Sequence, residues 1–538
     1  MAIALSAEAA ETPTTRPVRR HPAWWFAVAL GVLGVGYRLA VLLADLPPTN
    51  SDEATSGLVA MHLAEGREFP LFFYGQYYMG ALESYLAAPL FAVFGPSTFA
   101  LRLPNLLLYA AFLVLIWQLT RRLYTPWLAA FTVGLLALGS DRILKNELIA
   151  GGGYPEMNPA GALLLLLAVN LGLGVVRRRW LAYAGWGLVA GLTLWDDWLV
   201  LPYVGAAGLV LLLATGWRAV RGRDGLALGV GLLIGLVPIV VHNLTAAPEN
   251  RSLAIYANLS GGAVASWPDR LFGGVLFGLP MSGGLCSPGR CEPWQMWWGI
   301  AYPILLVAAG VLAVRALRRA TGDERVRQAG RLALVVGAAL SLLAYASSGA
   351  AGSTPVESAR YLHCLLISTP AVLWPLWAAA GAGRPSGGRT RLIRVGAAVP
   401  LVALTLTMLA ATGALLVKAP ELARPVDERR ELVAALDRLG VTRFYSEYWT
   451  CNNITFMTRE RLVCAVIRDD LQPGWDRYLP YREQVRQADR PAFVLPTGSP
   501  SSGAVAAHLA GVGAPTTVTT VAGYDIYQTA VPVDLPLR

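Results

Sequence analysis

Charge is scarce in this sequence. Only 14% of its 538 residues are Asp, Glu, Lys or Arg, while 55% are hydrophobic. A soluble globular chain carries roughly a quarter charged residues, so much of this surface need not face water. The mean hydropathy of +0.49 agrees. Five cysteines and five histidines fall in no zinc-binding spacing, and there is no Walker loop or Gly-x-Ser-x-Gly elbow. The run Gly31 to Gly36 lies inside an apolar stretch, so it is no nucleotide fingerprint. No basic stretch interleaved with aromatics resembles a nucleic-acid groove, and nucleic acid is excluded as a partner despite the net charge of +10. Internal repeats and low-complexity segments are also missing.

The sequence does contain apolar runs of about 20 residues, the length a helix needs to cross roughly 30 Å of hydrocarbon. They fall at 24–44, 103–120, 126–140, 157–175, 180–195, 198–215, 226–243, 298–315, 331–347, 361–380 and 395–416. Arginines gather in alternate loops: Arg121 and Arg122; Arg177, Arg178 and Arg179; Arg218, Arg221 and Arg223; Arg315, Arg318, Arg319, Arg325 and Arg327; Arg384, Arg389, Arg391 and Arg394. This is the positive-inside pattern of short cytoplasmic loops. The pattern predicts a polytopic α-helical membrane protein of about eleven transmembrane helices. The N-terminal tail, 1–23, is placed in the cytoplasm, and the transmembrane domain covers 24–416. The first run follows Arg16, Arg19 and Arg20, but Asp45-Leu46-Pro47-Pro48 offers no small-residue cleavage site, so it reads as a retained helix in the cell (plasma or inner) membrane.

The outer loops are long. The first, 45–102, holds a helical stretch from Asp52 to Gly66 and an aromatic, interfacial one from Met79 to Gly95. Another spans about 244–297, and loops of this size are usually functional. From 417 to 538 the composition changes: an amphipathic helix at Glu428–Leu439 leads into five short strand-like runs and two helical ones. This reads as a small extracytoplasmic α/β domain. Cys286 and Cys291 flank a turn, while Cys451 and Cys464 lie on adjacent segments. Both pairs fall on the outer side, where disulfides persist.

Charges beside membrane spans are costly and therefore informative. Asp52 and Glu53 open the first loop helix, where Ser51 or Asp52 could serve as N-cap, or a carboxylate could act as general base. A second group is Asp141, Arg142, Lys145 and Glu147, with Glu156 just after Gly151-Gly152-Gly153. Asp196 and Asp197 lie between two tryptophans, in a tight turn or a sugar or cation site. Arg360 and Tyr361 begin a late span, where an arginine suits a phosphate or anchors the interface. His242 stands at the outer end of the seventh span.

These features resemble the GT-C superfamily of lipid-dependent membrane glycosyltransferases. The specific blocks are the acidic pair in a large first loop, Gly75-Gln76-Tyr77-Tyr78-Met79-Gly80, Phe94-Gly95-Pro96-Ser97 and Leu101-Arg102-Leu103-Pro104-Asn105. They look like the bacterial branch related to protein O-mannosyltransferases and aminoarabinose transferases. Gly152-Gly153-Tyr154-Pro155-Glu156 and Ala359-Arg360-Tyr361-Leu362 are similar to later blocks. The resemblance covers about residues 24–415. It implies an inverting hexosyl- or pentosyltransferase with Asp52 as general base, working at the extracytoplasmic face. The donor would be a polyprenyl-phosphate sugar and the acceptor a protein, lipid or glycan. Arg360, Lys145 and His242 are the candidates for the leaving phosphate's charge. Glu156 would bind the acceptor or orient the sugar, with Glu53, Tyr361 and Asp196 as further substrate-binding candidates. No metal-ligand set is evident, which leaves a divalent cation open. A transporter or flippase of a lipid-linked sugar would place paired charges near mid-membrane, and an envelope scaffold would leave the acidic loop unexplained.

Overall fold

A computed structural model describes residues 21–260, 265–286, 288–381, 388–533 and 535. Arg16, Arg19, Arg20 and Arg384 lie outside the described residues, as do the side chains of Arg218 and Arg389. The first ten helices are α1 (Pro22–Leu43), α2 (Ser51–Ala64), α3 (Leu82–Phe94), α4 (Thr98–Leu123), α5 (Pro126–Ala137), α6 (Asp141–Leu148), α7 (Tyr154–Gly172), α8 (Arg179–Asp196), α9 (Leu201–Arg221) and α10 (Arg223–Thr245). Later helices cover Trp297–Leu317, Gly322–Ser347, Thr369–Gly381 and Gly388–Arg438, and a 3-10 helix, Ala359–Ser368, precedes the third of these.

Every expected span falls on helix. Among the described residues, eight spans are long and apolar enough to cross a bilayer, or nine if the bent pair α5–α6 counts as one. Helices α7 and α8, with 19 and 18 residues, lie on the other two expected spans. One opens on Tyr-Pro-Glu-Met-Asn-Pro and the other closes on Trp-Asp, because those polar ends are buried in protein rather than in lipid.

The bend between α5 and α6 is 94°, and it leaves carbonyls without helical partners. In a bilayer such groups must be satisfied from within the protein. Arg38, fully buried on α1, does this. Its Nη1 donates to Ala137 O at 2.6 Å, its Nη2 to Leu136 O and Leu138 O at 3.1 Å each, and its Nε to Glu147 at 2.7 Å. Thr412 adds its hydroxyl oxygen, which accepts from the Gly139 N–H at 3.0 Å.

No break occurs at 417. The last apolar span and the expected amphipathic helix form one continuous 51-residue helix, Gly388–Arg438. Beyond it the C-terminal domain forms a five-stranded sheet from β1 (Arg443–Ser446), β2 (Val463–Val466), β3 (Ala492–Pro496), β4 (Thr516–Val521) and β5 (Tyr524–Thr529), in the order β2-β1-β3-β5-β4. Strand β1 runs parallel to β2 and β3, and β5 runs antiparallel to both of its neighbours. A helix that the sequence reading did not expect, Tyr448–Met457, follows β1, and the Cys451–Cys464 disulfide ties it to β2. Cys286 is bonded to Cys291.

This domain sits on the first outer loop. Ala54, Leu58 and Met61 of α2 and Phe91 of α3 share one apolar core with Phe456, Val463, Ile467 and Tyr481. Gly57 makes the fit possible, since a Cβ there would lie 2.5 Å from the Phe456 ring.

Candidate active site

Asp52 lies in the first turn of α2, but it does not cap the helix. Asn50 does, its side chain accepting from the Glu53 N–H at 2.8 Å. The Asp52 carboxylate is thus left for other partners, and both come from the C-terminal domain. The Tyr448 hydroxyl donates to Oδ1 at 2.5 Å, and Arg477 Nη2 donates to the same oxygen at 2.7 Å. Arg477 Nε in turn donates to the Tyr448 oxygen at 2.7 Å. Burial, then the charge of Asp52, push the Tyr448 phenol above its ordinary value, so it stays protonated and donates. The guanidinium is stacked on Trp475, 4.0 Å from the ring centroid, with Phe73 at 4.9 Å. Among the described residues neither bond reaches Oδ2, and the Asp52 side chain keeps 17% of its surface exposed.

Glu53, its neighbour, points elsewhere. It makes a bidentate pair with Arg102 at 2.6 and 2.5 Å, both side chains being fully buried, and also accepts from Ala150 N–H at 3.3 Å. This carboxylate has no face left for a substrate.

Arg360, on the 3-10 helix, lies within electrostatic reach of Asp52, Tyr154 and Tyr361. Its guanidinium carbon is 5.3 Å from the Tyr154 ring centroid and 5.7 Å from that of Tyr361, and among the described residues its buried Nε has no hydrogen-bond partner. Tyr78, from the Gly75–Gly80 block, is a neighbour of Tyr361, Arg477, Arg360 and Asp197 at once. Its phenol is pushed up to about 12, chiefly by burial.

Behind this rim lies a buried acidic group. Glu156 neighbours Glu83, Asp196 and Asp197, and among the described residues both of its carboxylate oxygens are buried with no partner beyond its own backbone N–H. Burial, then Asp196, push the Glu83 carboxyl well above the usual carboxylate range, against donors at Gly152 and Gly153. Asp197 is pushed up to about 7 by burial, against the Leu199 N–H and Arg360. Two of the three glycines serve this group. Gly152 and Gly153 have φ of 98° and 87°, the Gly152 N–H bonds Glu83 at 2.9 Å, and a Cβ at Gly153 would lie 2.7 Å from Asp197 Cβ. Among the described residues, no group of three or more His, Cys, Asp or Glu side chains is placed to hold a metal ion.

The remaining sequence candidates are placed as follows. Lys145 is paired along its own helix with Asp141 at 2.9 Å. His242 Nε2 donates to the Asn250 carbonyl at 3.0 Å, and the ring stacks on Tyr77. Tyr361 packs edge-on against Tyr345. The structure thus brings Asp52, Arg360, Tyr361, Asp196 and Glu156 into one neighbourhood and leaves Glu53 and Lys145 committed elsewhere.

Five residues at the site or beside it had no role assigned from the sequence. An arginine inside an apolar run is itself a signal, which would have found Arg38 and, at the edge of its run, Arg102. Glu83, alone in an apolar helix, carries the same mark. Tyr448 and Arg477 lie 396 and 425 residues from Asp52. Their one local hint is the aromatic density of Tyr448-Trp449 and Trp475-Asp476-Arg477-Tyr478.

No family model and no curated protein matches the chain. Among solved structures it is similar to ArnT from Cupriavidus metallidurans bound to undecaprenyl phosphate, at 14% identity and a TM-score of 0.59, covering 94% of this chain and 98% of that one. ArnT in the apo state gives 14% identity and 0.59 again, covering 94% and 97%. At that identity the likeness is one of fold: the chain is a multi-pass helical membrane protein with an ArnT-like GT-C fold and a small C-terminal sheet domain.

Proposed function

We propose that the chain is an inverting glycosyltransferase that moves a hexose or pentose from a polyprenyl phosphate to an acceptor hydroxyl at the extracytoplasmic membrane face. The observation that carries this reading is Asp52: a carboxylate held on one oxygen, free on the other among the described residues, and within reach of Arg360. The acceptor O–H gives its proton to Oδ2 as its oxygen attacks the anomeric carbon. The bond from that carbon to the phosphate oxygen breaks on the opposite face, which inverts the configuration. Negative charge collects on the departing lipid phosphate, where preorganised cationic donors help most. Arg360 has an unpaired buried Nε for that role.

A small apolar cavity lined by Leu135, Leu279, Trp298, Tyr302, Leu365 and Met408 marks the side on which the prenyl chain would lie. Leu365 is five residues beyond Arg360, roughly 10 Å along a 3-10 helix, so headgroup and chain have adjoining seats. Glu156, Asp196 and Asp197, grouped near Arg360, suit sugar hydroxyls. Two disulfides fit an oxidising compartment, which supports the outward orientation of this face. The broken span α5–α6 is the feature that favours a lipid-sugar transporter, but its freed carbonyls are filled by Arg38.

The test supplies purified protein in nanodiscs with undecaprenyl-phosphate hexoses and pentoses and an envelope extract as acceptor, and follows release of undecaprenyl phosphate by mass spectrometry. Wild type releases it, and Asp52→Asn loses about 10³-fold, the scale of general-base catalysis. Full release by that variant removes Asp52 as base. Movement of the intact donor across a liposome bilayer without release turns the reading to a flippase.

A further inference from the structure

We propose that Arg477 and Tyr448 of the C-terminal domain are positioning residues for the base, which makes that domain a working part of the active site; this rests on Asp52 being the base. An aspartate in the first turn of a helix turns about two side-chain torsions. A carboxylate in the wrong rotamer presents the wrong lone pair to an acceptor hydroxyl, and a misplacement of about 1 Å can cost 10²-fold in rate. Here two donors converge on Oδ1, from Tyr448 at 2.5 Å and Arg477 at 2.7 Å. They fix the plane of the carboxylate and leave Oδ2 as the proton acceptor.

The donors are themselves held. Arg477 is fastened to Tyr448 through Nε and stacked on Trp475, and its side chain is 4% exposed. Tyr448 is fixed to α2 from outside the site: the Ser51 hydroxyl donates to its carbonyl at 2.7 Å, and Asn452 donates to Thr55 Oγ1 at 2.8 Å. A locked second layer is what makes a reactive group precise.

The geometry is not that of mere adhesion between domains. An arginine that only glues takes both oxygens of its carboxylate, as Arg102 does with Glu53. Adhesion is already supplied nearby by His62 with Glu460 at 2.9 Å, by the Tyr478 hydroxyl on Glu68 at 2.5 Å, and by Phe91 against Phe456.

The experiment uses the full chain in nanodiscs and the undecaprenyl-phosphate sugar that the panel above shows to be turned over. Arg477→Met lowers kcat by about 10²-fold and Tyr448→Phe by about tenfold, with KM for the lipid donor within about twofold of wild type, the pattern of an interaction used in the transition state. Arg477→Lys, which keeps a charged donor, recovers part of the loss. Tyr478→Phe removes a bond at the same interface away from Asp52 and keeps wild-type kcat. Wild-type kcat in both Arg477→Met and Tyr448→Phe, alongside an inactive Asp52→Asn, overturns the positioning role and leaves the base standing. An equal loss in Tyr478→Phe and Tyr448→Phe overturns it too, as plain loosening of the interface. Retained turnover in Asp52→Asn removes the base itself, and the proposal with it.

Discussion

Asp52 and Glu53 are adjacent carboxylates on one helix, each paired with a distant arginine, yet they have opposite fates. Glu53 is fully buried and both of its oxygens are occupied by Arg102. Asp52 is partly exposed and, among the described residues, bonded at one oxygen only. A helix turns about 100° per residue, so neighbours in sequence face different surroundings: one looks toward α4, the other toward the C-terminal domain. An acidic pair in a sequence is therefore two separate questions. A closed pair stabilises a fold, because breaking it strands a buried charge; an open pair keeps a reactive atom available.

Four variants sharpen or break that contrast. The largest effect belongs to Asp52→Asn, with about 10³-fold lower lipid-phosphate release and a smaller drop in Tm, by detergent-solubilised thermal unfolding, than Glu53→Leu gives. Equal losses of Tm in the Asp52 and Glu53 variants would erase the distinction. Glu53→Leu strands Arg102 and costs roughly 3–5 kcal/mol, read as a drop in Tm and in folded yield; the double variant Glu53→Leu/Arg102→Leu recovers much of it.

A third effect depends on pH. Asp197 is raised from 3.8 to about 7, so the folded state binds more protons than the unfolded state between those values. Its contribution to stability is complete below about pH 4 and is lost as pH rises through about 7. Wild-type Tm should fall over that window, and Asp197→Asn should flatten the slope; an unaltered slope removes Asp197 as its source. Smallest of all is Lys145→Ala. Its ammonium is committed to Asp141 and a third exposed, so lipid-phosphate release should stay within about threefold of wild type, and a loss near that of Asp52→Asn would return Lys145 to the site.

Much of the architecture was legible locally. Apolar runs and arginine-rich loops marked the spans because a helix must be about 20 residues long to cross hydrocarbon, and that length is written contiguously. The five strands of the C-terminal domain were visible as short β-branched or aromatic runs for a similar reason. Less was legible where polar groups turn inward. At the polar ends of α7 and α8, Glu156 and Asp196 belong to a protein interior, which a hydropathy pattern does not distinguish from a loop. Helix Tyr448–Met457 went unseen because its partner face is α2, some 400 residues earlier in the chain.

The sequence by itself determined that the chain crosses the membrane repeatedly, where its large loops lie, and that carboxylates cluster at one edge. These follow from composition over windows of a few to twenty residues, the range over which hydrophobicity and turn chemistry act. Tertiary structure alone decided which carboxylate is closed and which is open. Hydrogen bonds reach about 3 Å through space and take no account of chain distance. Asp52 meets Tyr448 and Arg477 only because the last domain folds back over the first loop.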